Sequence, residues 1–278
     1  MEIKQFVLEQ KEKIKNEVES LKVKPCMMII QVNEDAASNA YIKGKIKDCN
    51  EVGINCILNK LPLDITQEDL LKEIEKANND KSVHGLIVQM PLPRHIDEEV
   101  IKLAVNPKKD IDGFHPLSSF VACTPKGIIT YLKAEGIDFN SKNAVVIGRS
   151  NIVGKPLAKL LTSLNCNTTV LHSRTTKEDM DFYLRHADIV CVAVGRKWFL
   201  NKETNLKPSA VVVDVGINRE DGKLYGDCQE GLNVFIQTPV PGGVGLLTRL
   251  SLLENLMEAY KNGIQNWKYK CLWIRVCC

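Results

Sequence analysis

The sequence predicts an α/β protein of two α/β domains with a cleft between them. Three observations carry this expectation. Apolar runs of strand length alternate with segments of helical period, which implies parallel sheets covered by helices. The stretch NAVVIGRSNIVGKPLAKLL, residues 143–161, passes from a buried strand through a glycine turn into an amphipathic helix. Such a turn can offer backbone N–H groups to a phosphate, as in a Rossmann-type dinucleotide-binding domain, although its spacing is not G-x-G-x-x-G. At 278 residues the chain has room for two such blocks, meeting near residue 120.

The elements follow in order. Ile3, Phe6, Val7, Ile14, Val18 and Leu21 recur at helical spacing. CMMIIQV (26–32) reads as a buried strand, and Ser38 is placed to cap a helix running to about Val52. INCILNKL is the second strand; Thr66 opens the next helix, with Asp69 at the capping-acid position. VHGLIVQM (83–90) is a third strand, stopped by Pro91-Leu92-Pro93. A short helix near 97–104 and the loop NPKKDIDGFHP precede Thr124-Pro125, a cap with proline at the first helical position. Beyond it, strands are expected at 143–148, 168–172, 188–194 and 210–214, with helices between the first three. Gly242-Gly243-Val244-Gly245 precedes a last helix near 246–262. The resulting division is residues 1–120 for the first domain and 121–249 for the second, with a C-terminal helix (about 250–278) packing back on the first.

Composition narrows the class. With 26% charged and 44% hydrophobic residues the chain has the balance of a soluble globular protein. A net charge of +3 is too small to suggest a nucleic-acid partner. No apolar run approaches the roughly 18 residues of a membrane span, and Met1-Glu2-Ile3-Lys4-Gln5 carries no signal core, so the cytoplasm is expected. The ten cysteines form no C-x-x-C pair and have no histidine at zinc spacing. No metal is expected, and scattered thiols suit a reducing compartment.

The candidate site residues begin with the glycine turn: Gly148, Arg149 and Ser150. By itself such a turn serves either a nucleotide or simply the bend of the chain. The next strand ends VLHSRT, where a Rossmann unit meets the adenosine ribose. An acid there would favour NAD. Ser173 and Arg174 stand there instead, and with Arg149 they suit the 2′-phosphate of NADP, the alternative being two solvated arginines on loops. In the first domain Tyr41 and Lys45 are four apart and share one helix face, as residues of a merely solvated face also do. Gln89 closes an apolar strand, at the end of a parallel strand where ligands bind. Asp110 and Asp112 sit in a loop near the domain junction, where carboxylates also serve only as turn formers.

Taken together, SNAYIKGK, VHGLIVQMPLP, KDIDGFHP, CTPKGI, VVIGRSNIVGKP, HSRT, VVVDVGIN and TPVPGGVG resemble the bifunctional methylenetetrahydrofolate dehydrogenase/cyclohydrolase family, in collinear order over roughly residues 26–262. The resemblance implies a tetrahydrofolate-binding catalytic first domain, an NADP-binding second domain, and a homodimer acting on tetrahydrofolate derivatives. It implies oxidation of 5,10-methylenetetrahydrofolate with NADP, then hydrolysis of the methenyl product to 10-formyltetrahydrofolate, a step of one-carbon metabolism that feeds purine biosynthesis. Lys45 matches the catalytic lysine, Tyr41 its partner one helical turn earlier, and Gln89 the glutamine bonded to it. Asp112 matches the acid that grips the pteridine, and Gly242 and Gly243 match a loop lining the cleft on the substrate side. Gly148, Arg149 and Ser150 match the cofactor turn, Ser173 the 2′-phosphate contact, and Ile217 a backbone contact to the nicotinamide half. Two departures stand out: Ala36-Ala37-Ser38 lacks the usual proline, and Leu246-Leu247 replaces Pro-Met. The Cys-rich tail has no counterpart.

Three other readings remain open to the sequence. They are a monofunctional methylenetetrahydrofolate dehydrogenase, an unrelated NADP-dependent dehydrogenase, and a non-enzymatic NADP-sensing module. The first lacks a reason for Lys45, Tyr41 and Gln89; the second does not explain the acid loop together with the Lys–Gln pair. The third leaves polar residues at every matched catalytic position without a use.

Overall fold

A computed structural model describes the main chain of residues 1–276 and the side chains of residues 1–263. The first half runs α1 (Ile3–Glu19), β1 (Cys26–Gln31), α2 (Ala36–Val52), β2 (Asn55–Lys60), α3 (Gln67–Asn79), β3 (Gly85–Val88) and α4 (Glu98–Ala104). Then come α5 (Cys123–Ala134), β4 (Asn143–Ile147), α6 (Gly154–Ser163), β5 (Asn167–Leu171), α7 (Lys177–His186), β6 (Ile189–Val192) and β7 (Val211–Asp214). The hairpin β8 (Asn218–Glu220) and β9 (Lys223–Tyr225), the short β10 (Ile236–Gln237) and α8 (Val244–Val276) complete the chain. No helix among the described residues is long and apolar enough to cross a membrane.

The chain divides into two compact units: Leu8–Cys123 with the last helix from Arg249 onward, and Met1–Val7 with Thr124–Thr248. By contact, residues 1–7 group with the second unit rather than with Leu8–Cys123. The Met1 ammonium pairs with Glu135 at 2.8 Å and the Phe6 ring meets Tyr131 edge-on at 5.6 Å, so these contacts hold the segment to α5. The expected packing of the chain end on the first domain falls, from residue 264 onward and with the Cys-rich tail, outside the described side chains.

In the first unit the strands pair in parallel in the order β2-β1-β3. Ile30, Val32, Leu86 and Val88 meet Leu70, Ile74 and Ile101 from α3 and α4 in one buried cluster. Each such side chain contributes about 1.5–3 kcal/mol by leaving water. Thr66 caps α3 by accepting from the Asp69 N–H at 3.1 Å, as its spacing predicts. The start of α2 differs from expectation. Asp35, not Ser38, is the cap; its carboxylate accepts from the Ser38 N–H at 2.8 Å, so the helix begins at Ala36. The expected cap at Thr124 also shifts, because α5 already starts at Cys123 and the Thr124 hydroxyl bonds that of Thr248 at 3.0 Å.

In the second unit the five strands are parallel in the order β10-β7-β6-β4-β5. Chain order reverses around β4, between β5 on one side and β6 on the other. At that reversal an open α/β sheet leaves a crevice at its carboxyl edge. The core of this unit buries Val145, Ile147, Leu171, Val190, Val192 and Val212 with Leu184 of α7. The β8–β9 hairpin is not anticipated from the sequence, although Asp221-Gly222 at its tip is a hairpin signal.

Candidate active site

Both units carry polar residues at the carboxyl ends of their strands. In the first, Lys45 lies on the inner face of α2 and is only 6% exposed. Its Nζ donates to Gln89 Oε1 at 3.2 Å, lies 3.9 Å from Asp112 Oδ2, and sits 5.9 Å from the centre of the Tyr41 ring. Tyr41 is one helical turn before Lys45, so the two share a face as predicted.

Gln89 is fixed from both sides. It directly follows β3, where its N–H donates to the Ile30 carbonyl at 2.9 Å and its own Nε2 donates to Met90 O at 2.8 Å. With the amide nitrogen occupied, Oε1 turns toward the lysine. The acid loop is tied to β3 as well, since the Leu86 N–H reaches Lys109 O at 2.7 Å. From α8, fully buried Asn255 donates to Ile111 O at 2.8 Å and Val121 O at 3.0 Å. Gly113 closes the loop at φ 74°, where a Cβ would lie 2.7 Å from the Ala122 backbone.

The two acids of that loop are not equivalent. Asp110 is 4% exposed and accepts from the His115 N–H at 2.8 Å, so it holds the loop together. Burial pushes its carboxyl above the usual range. Asp112, less buried, faces the lysine.

Asn33, just past β1, has no counterpart among the sequence candidates. Its Nδ2 donates to Pro91 O at 2.6 Å, while its buried Oδ1 has no protein partner. The signal is the same one that marks Gln89: a polar residue closing an apolar run. Behind Lys45 on α2, buried Asp48 takes Lys11 at 2.5 Å and Arg249 at 2.9 Å. A Cβ on Gly44 would overlap the Arg249 guanidinium, so glycine there leaves the arginine its path.

In the second unit the predicted turn lies at the point of strand reversal. Gly148 has φ 116°, and a Cβ on it would overlap the Ala193 carbonyl; one on Gly154 would overlap the Gly148 carbonyl. Ser150 Oγ accepts from the N–H groups of Val153 and Gly154 at 3.2 and 3.3 Å, so this serine caps α6 from within the turn. The β5 turn is adjacent, because β4 and β5 pair and the Gly148 N–H donates to Leu171 O at 2.9 Å. There the His172 N–H bonds Thr175 Oγ1 at 2.9 Å, leaving Ser173 and Arg174 exposed beside exposed Arg149. Glycines that clear the strand ends and two guanidinium groups with a hydroxyl fit a dinucleotide bearing a 2′-phosphate. Ile217 stands at the same edge but beyond β6, following β7, and is 54% exposed. Gly242 and Gly243 belong to this unit, just before α8; a Cβ on Gly243 would overlap the Pro239 carbonyl. Leu247 is fully buried against Gly127.

Comparison with known proteins also separates two halves of the chain. Residues 1–112 match the model of the tetrahydrofolate dehydrogenase/cyclohydrolase catalytic domain, and residues 122–264 that of the NAD(P)-binding domain. The bifunctional protein FolD of Acetivibrio thermocellus is 45% identical over 267 residues, spanning 90% of this chain and 93% of that protein. The fold is similar to that of the bifunctional enzyme FolD, methylenetetrahydrofolate dehydrogenase/cyclohydrolase, from Campylobacter jejuni, with a TM-score of 0.90 at 40% identity over 94% of this chain and 98% of that one. It is also similar to the Trypanosoma brucei enzyme, solved with NADP and an inhibitor, with a TM-score of 0.89 at 29% identity over 95% and 97% of the two chains. With both halves matched by their own models and near-half identity along most of its length, the chain belongs to the tetrahydrofolate dehydrogenase/cyclohydrolase family.

Proposed function

We infer that this chain oxidises methylenetetrahydrofolate to methenyltetrahydrofolate with NADP and then hydrolyses that product to 10-formyltetrahydrofolate. The observation that carries the reading is the buried Lys45 held between Gln89 and Asp112 in the domain that the catalytic-domain model matches.

Each residue has a chemical task. The Asp112 carboxylate offers two acceptors to the donor edge of a pterin, a match only an acceptor pair can make. Tyr41 supplies ring packing beside the lysine. Gln89 orients Lys45 through a neutral oxygen, which leaves the amine free to exchange protons. Gly148, Arg149, Ser150, Ser173 and Arg174 would hold the diphosphate turn and the 2′-phosphate of NADP, with Ile217 at the nicotinamide half and Gly242 and Gly243 on the substrate side. When bound, NADP supplies the hydride acceptor. For hydrolysis, water adds to the cationic methenyl carbon, the carbon–nitrogen bond at N5 opens, and one proton is released. Lys45 is the group positioned to move protons in that step.

The reading extends to a homodimer working in the cytoplasm, supplying formyl groups for purine biosynthesis. The dimer and the use of the product rest on the family resemblance, and the compartment on the thiols. The seven described cysteines are all free thiols, as in a reducing compartment. The test is an absorbance assay with methylenetetrahydrofolate and NADP, then NAD, followed by decay of added methenyltetrahydrofolate. Reduction with NADP preferred, together with hydrolysis, is the expected result. Reduction without hydrolysis leaves a monofunctional dehydrogenase, and neither activity removes the reading.

A further inference from the structure

Asp227 is fully buried two residues after β9, and no step above uses it. Its Oδ2 accepts from the N–H groups of Val194 and Gly195 at 2.7 and 3.0 Å. Its Oδ1 accepts from the Arg196 N–H at 2.8 Å and Asn218 Nδ2 at 3.0 Å. Three consecutive main-chain N–H groups therefore converge on one carboxylate. The left-handed Gly195, φ 64°, gives the turn its concave shape, an anion nest filled by the protein's own side chain.

The second acid of the pair sets the first. Asp214, at the end of β7, accepts from the Asp227 N–H at 2.9 Å and the Cys228 N–H at 2.8 Å, which fixes the main chain at position 227. It also accepts from the Gly216 N–H at 3.0 Å. A Cβ on Gly216 would overlap the Asp227 carboxyl, and one on Gly226 that of Asp214. The two carboxylates and two glycines lock together with no room between them.

What they lock is the carboxyl edge of the sheet. Residues 194–196 follow β6, and residues 215–218 follow β7. The β6 exit also abuts the Gly148 turn, since Ala193 donates to Ile147 O at 2.8 Å and its carbonyl faces Gly148. Asp227 thus joins the two loops that continue this edge away from the 2′-phosphate residues, one of them carrying exposed Ile217.

We propose that Asp227 is a positioning residue for hydride transfer, fixing the loops after β6 and β7 that seat the nicotinamide half of the cofactor. The proposal rests on the dehydrogenase reading above. It assigns Asp227 no part in hydrolysis, which needs no cofactor. Asparagine keeps the size of the side chain but turns one oxygen into an N–H₂ group facing backbone donors, so the nest opens.

The experiment compares wild type with Asp227→Asn in one set of preparations. NADP and adenosine 2′,5′-bisphosphate, which lacks nicotinamide, are each titrated by calorimetry, and both activities are measured. Expected for the variant is NADP affinity weaker by about tenfold and dehydrogenase kcat lower by about tenfold or more. Affinity for the bisphosphate and hydrolysis of added methenyltetrahydrofolate should stay within about twofold of wild type, since they bypass these loops. Gly195→Ala strains the same nest without touching the carboxylate, and should give the same pattern more weakly if Asp227→Asn fails to fold. Parallel loss of both ligands and both activities would reduce Asp227 to a fold-holding residue and overturn the proposal, as would unchanged NADP binding and kcat. Wild type without NADP binding would instead strike at the dehydrogenase reading itself.

Discussion

At the level of single residues, Lys45 separates the two activities. It lies against a neutral glutamine oxygen at 3.2 Å and a carboxylate at 3.9 Å, buried to 6% exposure. Arginine keeps the charge and reach but, with a pKa above about 12, does not shuttle protons. Lys45→Arg should lower hydrolysis of methenyltetrahydrofolate by roughly 100-fold or more, the scale of general acid–base catalysis. Dehydrogenase activity should fall less, so methenyltetrahydrofolate is released in place of the formyl product. Hydrolysis at the wild-type rate would remove Lys45 as the proton carrier. Much of this group was legible in the sequence. Tyr41 and Lys45 are one helical turn apart, and Gln89 and Asp112 stand out by type and place. What separates Asp110 from Asp112 came from the resemblance alone; its cause, capture of Asp110 by the His115 N–H, needs the structure. Asn33 shows the same signal as Gln89 and was passed over, whereas Asp227 was silent, since its partners are far along the chain.

Among elements, legibility follows how local the determining interaction is. Thr66 caps α3 through an aspartate three residues on, so sequence spacing suffices, and Thr176 does the same for α7 in the structure. At α2 the sequence points to Ser38, and only the structure shows Asp35, three residues earlier, as the cap. The β8–β9 hairpin has three-residue strands, too short to show a periodic pattern. The buried end of β7 supports a prediction of its own. Burial is the first cause raising the Asp214 carboxyl from 3.8 to about 6. A folded pKa above the unfolded one favours the native state at low pH, and that contribution is lost as pH rises through the folded value. The stability difference, wild type minus Asp214→Asn, should therefore fall by on the order of 2–3 kcal/mol between about pH 4 and pH 7. Urea denaturation of both proteins across that range measures it. A constant difference would show that Asp214 does not titrate there.

For the whole molecule, the α/β class, the alternation of strands and helices along the chain and the strand–turn–helix at Gly148 all follow from the sequence pattern. The assignment of Met1–Val7 to the second unit does not, because it depends on contacts with Tyr131 and Glu135 more than a hundred residues away. Labour is divided between the two groups of residues: Lys45, Gln89 and Asp112 act on folate in both reactions, whereas Arg149, Ser173 and Arg174 serve only the redox step. The direct measurement sets Asp112→Ala beside the Arg149→Ala/Arg174→Ala double variant, with both activities read on each preparation. Asp112→Ala should lose dehydrogenase and cyclohydrolase together, by about tenfold or more, because both substrates carry the same pterin. The double arginine variant should weaken apparent NADP affinity by about tenfold or more and narrow the preference over NAD, leaving hydrolysis of added methenyltetrahydrofolate at the wild-type rate. A double variant that loses hydrolysis in step with NADP use, or an Asp112→Ala protein that keeps either activity intact, would contradict the account.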